Sequence, residues 1–331
     1  MNSKDRTVKR AMLLYAAAIA MAASVCAAQT WSPQRNVEIV AASVPGGSND
    51  NTARTLERII TVHKLVPATL TVVNKPGGGA SIAHTYVSQR AGDPHTLLIA
   101  TSGLLSNHII GSSALTAADF TPIAALLEDY VVFAVNAQSP MKSGKDLVER
   151  MKKDPKSISV GFANAFGGSR HIAAGMFMQS LGGSPRDLKP VVFKGSAEAI
   201  TALLGGHIEL VVIGAVNAVP HLASGRMRVL GVGAPQRLGG PLAGVPTWKE
   251  QGVDVAYGSW RAIFAPKGLT PAQLAYWEGV LRKVTETPEW KADLEKSFWT
   301  PYFVTGPQLR KDIEQEYAAT KAVLIDIGLA K

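Results

Sequence analysis

Val37-Glu38-Ile39-Val40-Ala41-Ala42-Ser43-Val44-Pro45-Gly46-Gly47-Ser48-Asn49-Asp50 sets a short β-branched run against a glycine-rich loop, and a helical stretch from Asn51 to His63 follows at once. A strand that passes through such a loop into a helix presents backbone N–H groups at a positive helix end, which suits a carboxylate or phosphate. Gly46 and Gly47 let the backbone approach a ligand closely, while Ser48 and Asp50 are placed to contact it, cap the helix or hold an ordered water. The plain alternative is an ordinary strand-to-helix turn capped by Asn or Asp.

The same construction recurs twice. Thr101, Ser102 and Gly103 follow a strand ending at Ala100, and Asn164-Ala165-Phe166-Gly167-Gly168-Ser169 follows one ending at Phe162. Each loop sits at the carboxyl end of a predicted parallel strand, where open α/β sheets bind ligands. Phe166 is placed to lie against an apolar part of a ligand or to pack beneath its loop. His171, just inside the next helix, is a candidate hydrogen-bonding group or a structural partner of the loop. The glycine run Pro76 to Gly79 is read as a turn.

Outward from these loops, short β-branched runs alternate with longer helical stretches, which predicts mostly parallel sheets flanked by helices. Strands are predicted at 37–41, 70–73, 96–100, 130–135, 159–162, 190–193, 208–213 and 228–232. Helices are predicted at 51–63, 81–89, 144–153, 170–180, 197–204, 271–286 and 307–327. Ser143 with Asp146 resembles a capping box, Ser196 precedes a helix that Gly205 and Gly206 can end, and Thr270 precedes Pro271 at a first helical position. Asp129 to Asn136 and Val253 to Ala265 are extended enough to cross between two lobes. The chain then leaves lobe 1 (29–131), builds lobe 2 (132–261) and returns to finish lobe 1 (262–331). Trp260 and Arg261 fall in the returning stretch, where Arg261 pairs either with a ligand carboxylate or, the expected role, with a hinge acid such as Asp129 or Glu128.

Lys4, Arg6, Lys9 and Arg10 precede an apolar run from Ala11 to Val25 and then Cys26-Ala27-Ala28, the layout of a secretory signal cleaved after Ala28. The run is shorter than the roughly 20 residues of a membrane-spanning helix. Val25 stands where a lipid-attachment site calls for Gly, Ala or Ser, so Cys26 is not expected to be acylated. Cleavage removes the only cysteine and with it disulfide, thiol and cysteine–metal chemistry. The 303 residues that remain suit two lobes better than one core. Their formal charge of +6 favours anionic partners weakly, and the basic residues are scattered without interleaved aromatics, which argues against nucleic acid.

Enzyme readings find little support. The 7 histidines include no pair at helical i, i+4 spacing and no His-Glu-x-x-His run. The Gly46 loop lacks the Lys-Ser/Thr ending of a nucleotide P-loop, no Gly-x-Gly-x-x-Gly follows a strand, and no Gly-x-Ser-x-Gly elbow occurs. A hydrolase or transferase acting on an anion is the remote alternative; no cofactor or metal is expected.

Together these residues resemble the periplasmic receptors of tripartite tricarboxylate transporters, the Bug receptors. The likeness spans the mature chain. It rests on Pro45-Gly46-Gly47-Ser48-Asn49-Asp50 with Ala53-Arg54, Val73-Asn74-Lys75-Pro76-Gly77-Gly78-Gly79, and Asp93-Pro94-His95-Thr96-Leu97-Leu98. It continues through Asp119-Phe120-Thr121-Pro122, Leu203-Leu204-Gly205-Gly206-His207, Val245-Pro246-Thr247, and Ser259-Trp260-Arg261 running into Phe264-Ala265-Pro266. The Trp-Arg pair and the Leu-Leu-Gly-Gly-His run are closer to the tricarboxylate branch than to the amino-acid branch. The resemblance implies a type II periplasmic binding protein, a monomer of two α/β lobes on a two-strand hinge with the ligand cleft between them. It implies capture of a di- or tricarboxylate for transporter membrane subunits or, alternatively, for a sensor kinase. First-lobe contacts would come from Gly46, Gly47, Ser48, Asp50, Thr101 and Ser102, and second-lobe contacts from the Asn164–Ser169 loop and the turn at Gly214. Where family members place Asp, Ser or Thr, this turn reads Gly214-Ala215-Val216. With Phe166, that apolar turn suggests an aromatic or aliphatic dicarboxylate.

Overall fold

The computed structural model describes residues 31–163 and 166–330, so the expected signal 1–28 and the candidate Asn164 lie outside the described residues. Val37, Ile39 and Ala41 of β1 (Val37–Ala41) join one core cluster and Val40 another, the alternation of a strand covered on both faces. The helix α1 (Ser48–Val62) packs Ala53, Leu56, Ile59 and Ile60 against that strand's first cluster. Next come β2 (Leu70–Asn74), α2 (Ser81–Ser88), β3 (Thr96–Thr101) and α3 (Gly103–Ile109). β1 pairs in parallel with β2 on one side and β3 on the other.

β4 (Phe120–Asn136) is a single 17-residue strand that leaves this lobe and enters the next. The second lobe is built from α4 (Gly144–Lys153), β5 (Ser159–Ala163), α5 (Ser169–Ser180), β6 (Lys189–Phe193), α6 (Ser196–Leu204), β7 (Leu210–Gly214), α7 (Ala215–Ala223) and β8 (Met227–Val232). β5 pairs in parallel with β6 and β7, while β4 is antiparallel to β7 and β8. Phe133, Phe177 and Trp248 form an aromatic centre on one side of this sheet. The Ser143 capping box is present at α4: the Ser143 N–H donates to Asp146 Oδ2 at 2.9 Å and the Asp146 N–H to Ser143 Oγ at 3.3 Å. At α6 the cap position is Gly195, and Ser196 is the first helical residue.

β9 (Gly258–Pro266) returns antiparallel between β3 and β4, pairing Gly258 with Tyr130 and Ser259 with Asp129. The sheets are therefore mixed and not mostly parallel, because the strands that cross between lobes run out and back. Just before β9, the Tyr257 N–H donates to Gly233 O at 2.9 Å and the Gly233 N–H to Val131 O at 2.8 Å, both in the second lobe. The outward crossing thus falls at Tyr130–Val131 and the return at Tyr257–Gly258. The chain closes with α8 (Pro271–Glu286), α9 (Pro288–Ser297), β10 (Thr300–Thr305), which pairs with β4, and α10 (Gly306–Ile327). α10 bridges the lobes: Leu309 and Ile313 join a first-lobe cluster, Val323 and Leu324 a second-lobe cluster. Among the described residues no helix is long and apolar enough to cross a membrane.

Candidate functional site

The loop after β1 is held rigid from beneath. Gly46 adopts φ +79°, a left-handed conformation that favours glycine, and a Cβ on Gly47 would lie 2.8 Å from that of Ser43. Asp50, buried at the start of α1, accepts the Gly46 N–H at 2.8 Å and Arg54 Nε at 2.9 Å on one oxygen and Asn74 Nδ2 at 2.9 Å on the other. Burial raises the pKa of this carboxyl, but the hydrogen bonds from Arg54, Gly46 and Asn74 together outweigh it and hold the group below the ordinary carboxylate range. Asp50 therefore ties the loop through both of its oxygens. Replacing it by Ala leaves those donors unpaired and is expected to lower stability at pH 7 by about 1–3 kcal/mol. A carboxyl whose folded pKa is depressed stabilises above its ordinary pKa of 3.8, and that contribution fades as pH falls through the lower folded value. Melting curves should therefore separate at pH 7 and converge near pH 2; parallel curves at both would contradict the assignment.

Above the loop lies an open cleft of about 930 Å³. Ser48, Asn51, Arg54 and Thr55 of α1, with Lys296 of α9 and the following Trp299, form its first-lobe wall. Asp129 of β4 and Arg261 of β9 form its floor at the hinge, and Arg170, Val216 and Asn217 its second-lobe wall. The lining carries Arg54, Arg58, Arg170, Arg261 and Lys296 against Glu57, Asp129 and Asp293. First-turn residues of α1, α5 and α7 face it, and the N-cap residue of each is a glycine, with Ser43 Oγ accepting the Asp50 N–H of α1 at 3.0 Å. The cleft is therefore electropositive through side chains and helix ends alike.

Arg261 is 4% exposed. Its Nη2 donates to Ser48 Oγ and lies 3.5 Å from Asp129 Oδ2, and its Cζ sits 4.1 Å from the centre of the Trp299 ring. Its Nε and Nη1 have no partner. Burial pushes the guanidinium pKa down and Asp129 opposes the shift, but an arginine stays charged at neutral pH. Arg261 is thus a buried cation at the cleft floor with two N–H-bearing nitrogens that no protein atom accepts from. Asp129 Oδ1 and Arg170 Nε are likewise unpartnered.

The expected site residues separate. Gly46 and Ser48 line the cleft, while Gly47 and Asp50 shape the loop beneath it. Thr101 lies opposite Arg261 in the β3–β9 register, with its Oγ1 accepting the Gly103 N–H at 3.3 Å, and Ser102 Oγ bonds Ser259 Oγ at 3.0 Å. Neither residue lines the cleft. Phe166 is half exposed with its ring edge-on to Phe162 and His171, and Gly167 abuts Ile110 and Leu324. His171 accepts the Gly167 N–H on Nδ1 at 3.0 Å and stacks on Phe162, and burial lowers its pKa to about 4. It is a neutral brace for the loop. Among the described residues of this segment Arg170 reaches the cleft, while Gly168 caps and Ser169 starts its helix. Gly214 stands at the second-lobe wall, where an added Cβ would meet Asp129 Oδ1, Arg170 Nη2 and Asn217 Nδ2 at 3.2, 3.3 and 3.4 Å. Val216 of this turn lines the cleft, as the apolar reading expects, and Asn217 one residue beyond adds a polar group to it. Phe166 stands outside the lining.

The fold and cleft define a two-lobed solute-binding protein. Residues 54–329 match the family described as TctC, tripartite tricarboxylate transporter family receptor, and the chain belongs to that family. Its members are periplasmic binding proteins and, in general, not enzymes. The sequence is 26% identical over 306 residues to Protein BugT of Bordetella pertussis, covering 89% of this chain and 90% of that one. The structure is similar to MatC from Rhodopseudomonas palustris with bound malate (TM-score 0.71, 24% identity, 88% and 99% coverage). It is also similar to an R. palustris protein with adipate (TM-score 0.74, 24% identity, 90% and 99% coverage).

Proposed function

We propose that this protein is a periplasmic receptor that captures a small di- or tricarboxylate between its lobes, releases it unchanged and presents it to the membrane subunits of a tripartite transporter. The observation that carries the reading is Arg261, buried at the cleft floor without a protein partner on two of its nitrogens, beneath the N-terminus of α1. The malate and adipate held by structural neighbours agree in ligand class. The lobes divide at the crossings near Tyr130–Val131 and Tyr257–Gly258, so that residues 258–261, expected in the second lobe, pair within the first sheet. Gly46 and Ser48 contact the ligand directly, with Gly47 and Asp50 holding their loop.

A thermal-shift screen of the mature protein against mono-, di- and tricarboxylates, amino acids and phosphates tests the proposal. A ligand at a hundred times its Kd stabilises the folded state by about 2.7 kcal/mol, enough to raise the midpoint by a few degrees. A shift confined to carboxylates is expected. Shifts confined to phosphates or to uncharged solutes would overturn the ligand class.

A further inference from the structure

Successive side chains of a strand point to opposite faces, so Asp129 and Arg261 at the cleft floor stand back to back with Glu128 and Trp260. Behind the floor, Glu128 and Trp260 share a cavity of about 240 Å³ with Tyr302 of β10 and with Asp312 and Glu316 of α10. Among the described residues no lysine, arginine or histidine lines it. Trp260 Nε1 donates to Glu316 Oε2 and Tyr302 Oη to Asp312 Oδ2, while Glu128 Oε2 and Glu316 Oε1 are buried without a protein partner. The other ionisable groups near Glu128 are Asp129 on its own strand and the phenols of Tyr130, Tyr257 and Tyr302, which burial keeps protonated. No base therefore offsets the carboxylates. Burial, reinforced by Glu316, Asp129 and Asp312, pushes Glu128 up to about 8, and burial pushes Glu316 up to about 7. We infer that ligand capture and proton uptake are coupled across the hinge: an anion on Arg261 favours the protonated form of the Glu128–Glu316 pair behind it, and deprotonation of that pair weakens the anion in return. The inference rests on the carboxylate-receptor reading above and adds its regulation by pH.

Charge and distance set the size of the coupling. From the cleft floor to the acids behind it is on the order of 10 Å, the spacing of layers packed against one sheet. At an effective dielectric constant of about 20, a negative charge at that distance raises a carboxyl pKa by about one unit. Linkage is reciprocal, so the same factor appears in the ligand's Kd. The sign follows: the complex holds its protons more tightly than the free receptor, so affinity is highest below the folded values near 7 and 8 and declines as pH rises through them.

Isothermal titration of the full mature protein between pH 7 and pH 9 tests it, with succinate, malate, adipate and tricarballylate, each fully ionised across that range. The tightest binder of the four should lose affinity at least about threefold from pH 7 to pH 9. At pH 8, heats measured in buffers of low and high ionisation enthalpy should show proton uptake by the complex. Glu128→Gln keeps the shape of the side chain without its charge; it should match the wild type at pH 7 and lose less than about twofold by pH 9. Glu316→Gln leaves Glu128 with one acid fewer beside it, so the decline should move to lower pH, and this variant keeps the test open if Glu128→Gln does not fold. A wild-type Kd independent of pH, or one that tightens as pH rises, would overturn the coupling and leave the receptor reading standing. So would a pH profile unchanged in both variants, which assigns the proton to another group. Failure of all four carboxylates to bind at any pH would overturn the receptor reading itself.

Discussion

Substituting Arg261 by methionine is expected to weaken the preferred carboxylate at least about a hundredfold, a loss near 2.7 kcal/mol. Methionine retains an apolar stem against Trp299 but removes the charge and every donor. The wild-type guanidinium is already buried and anchored, with Nη2 toward Ser48 and Asp129 and its face on Trp299, and its Nε and Nη1 have no protein partner. Charge-assisted hydrogen bonds from a fixed, desolvated donor are the strong ones. Arg261→Lys keeps the charge but not the fork and should recover only part of the affinity. Arg170→Met, at a half-buried position, should cost less. An unchanged Kd in Arg261→Met, with the fold intact, would remove the centre of the proposed site.

A second large effect is expected on the opposite side of the hinge strands, where the protein buries acids instead of bases. Glu128 of β4 and Glu316 of α10 share a small cavity with Trp260, Tyr302 and Asp312. Trp260 Nε1 donates to Glu316 Oε2 and Tyr302 Oη to Asp312 Oδ2, while Glu128 Oε2 and Glu316 Oε1 have no partner. Burial, helped by the neighbouring carboxylates Glu316, Asp129 and Asp312, pushes Glu128 up to about 8, and burial pushes Glu316 up to about 7. Both folded pKa values lie above the ordinary 4.5, so the folded state holds these protons more tightly than the unfolded one. Their contribution is fully present below about pH 4.5 and is lost as pH rises through 7 and 8. Glu128→Gln mimics the protonated form at every pH. It should match the wild type in melting temperature at pH 5 and exceed it at pH 9 by on the order of 2–4 kcal/mol, a difference of several degrees. A difference that stays constant between pH 5 and pH 9 would show that Glu128 is not the titrating group.

Local chemistry made much of the fold legible. The alternation in Val37–Ala41, the glycine pair behind it and the Ser143 and Thr270 caps are decided by a few neighbouring residues, and each appears where the pattern placed it. What escaped the pattern has local reasons too. Pro122 offers no N–H to a ladder, so the first half of β4 does not read as strand; a register shift between Pro122 and Ala124 absorbs it. Pro220 disguises α7, which tolerates it near its end, and α3 is only seven residues long. Thr300–Thr305 is half exposed and lacks a clear alternation, so β10 gives little signal.

The site was less legible because it is assembled from distant parts. Each of the three glycine loops looked equally suited to an anion, yet among the described residues the first alone brings its own residues to the cleft. The loop before α5 is instead braced by His171 and leans on Ile110 and Leu324. Arg170 and Asn217 each stand just past the segments that attracted attention, and what marks them is convergence on Asp129 around Gly214. Arg261, expected to pair with a hinge acid, reaches Ser48 and Asp129 through one nitrogen, and its other two have no protein partner.

A crystal structure of the mature protein with its tightest-binding carboxylate tests the central claim most directly. The account predicts one carboxylate of the ligand within hydrogen-bond distance of Arg261 Nη1 or Nε and beside Ser48, with Arg170 and Asn217 drawn over it from the second lobe. A ligand held elsewhere, or one in the cleft whose carboxylates avoid Arg261, would contradict it.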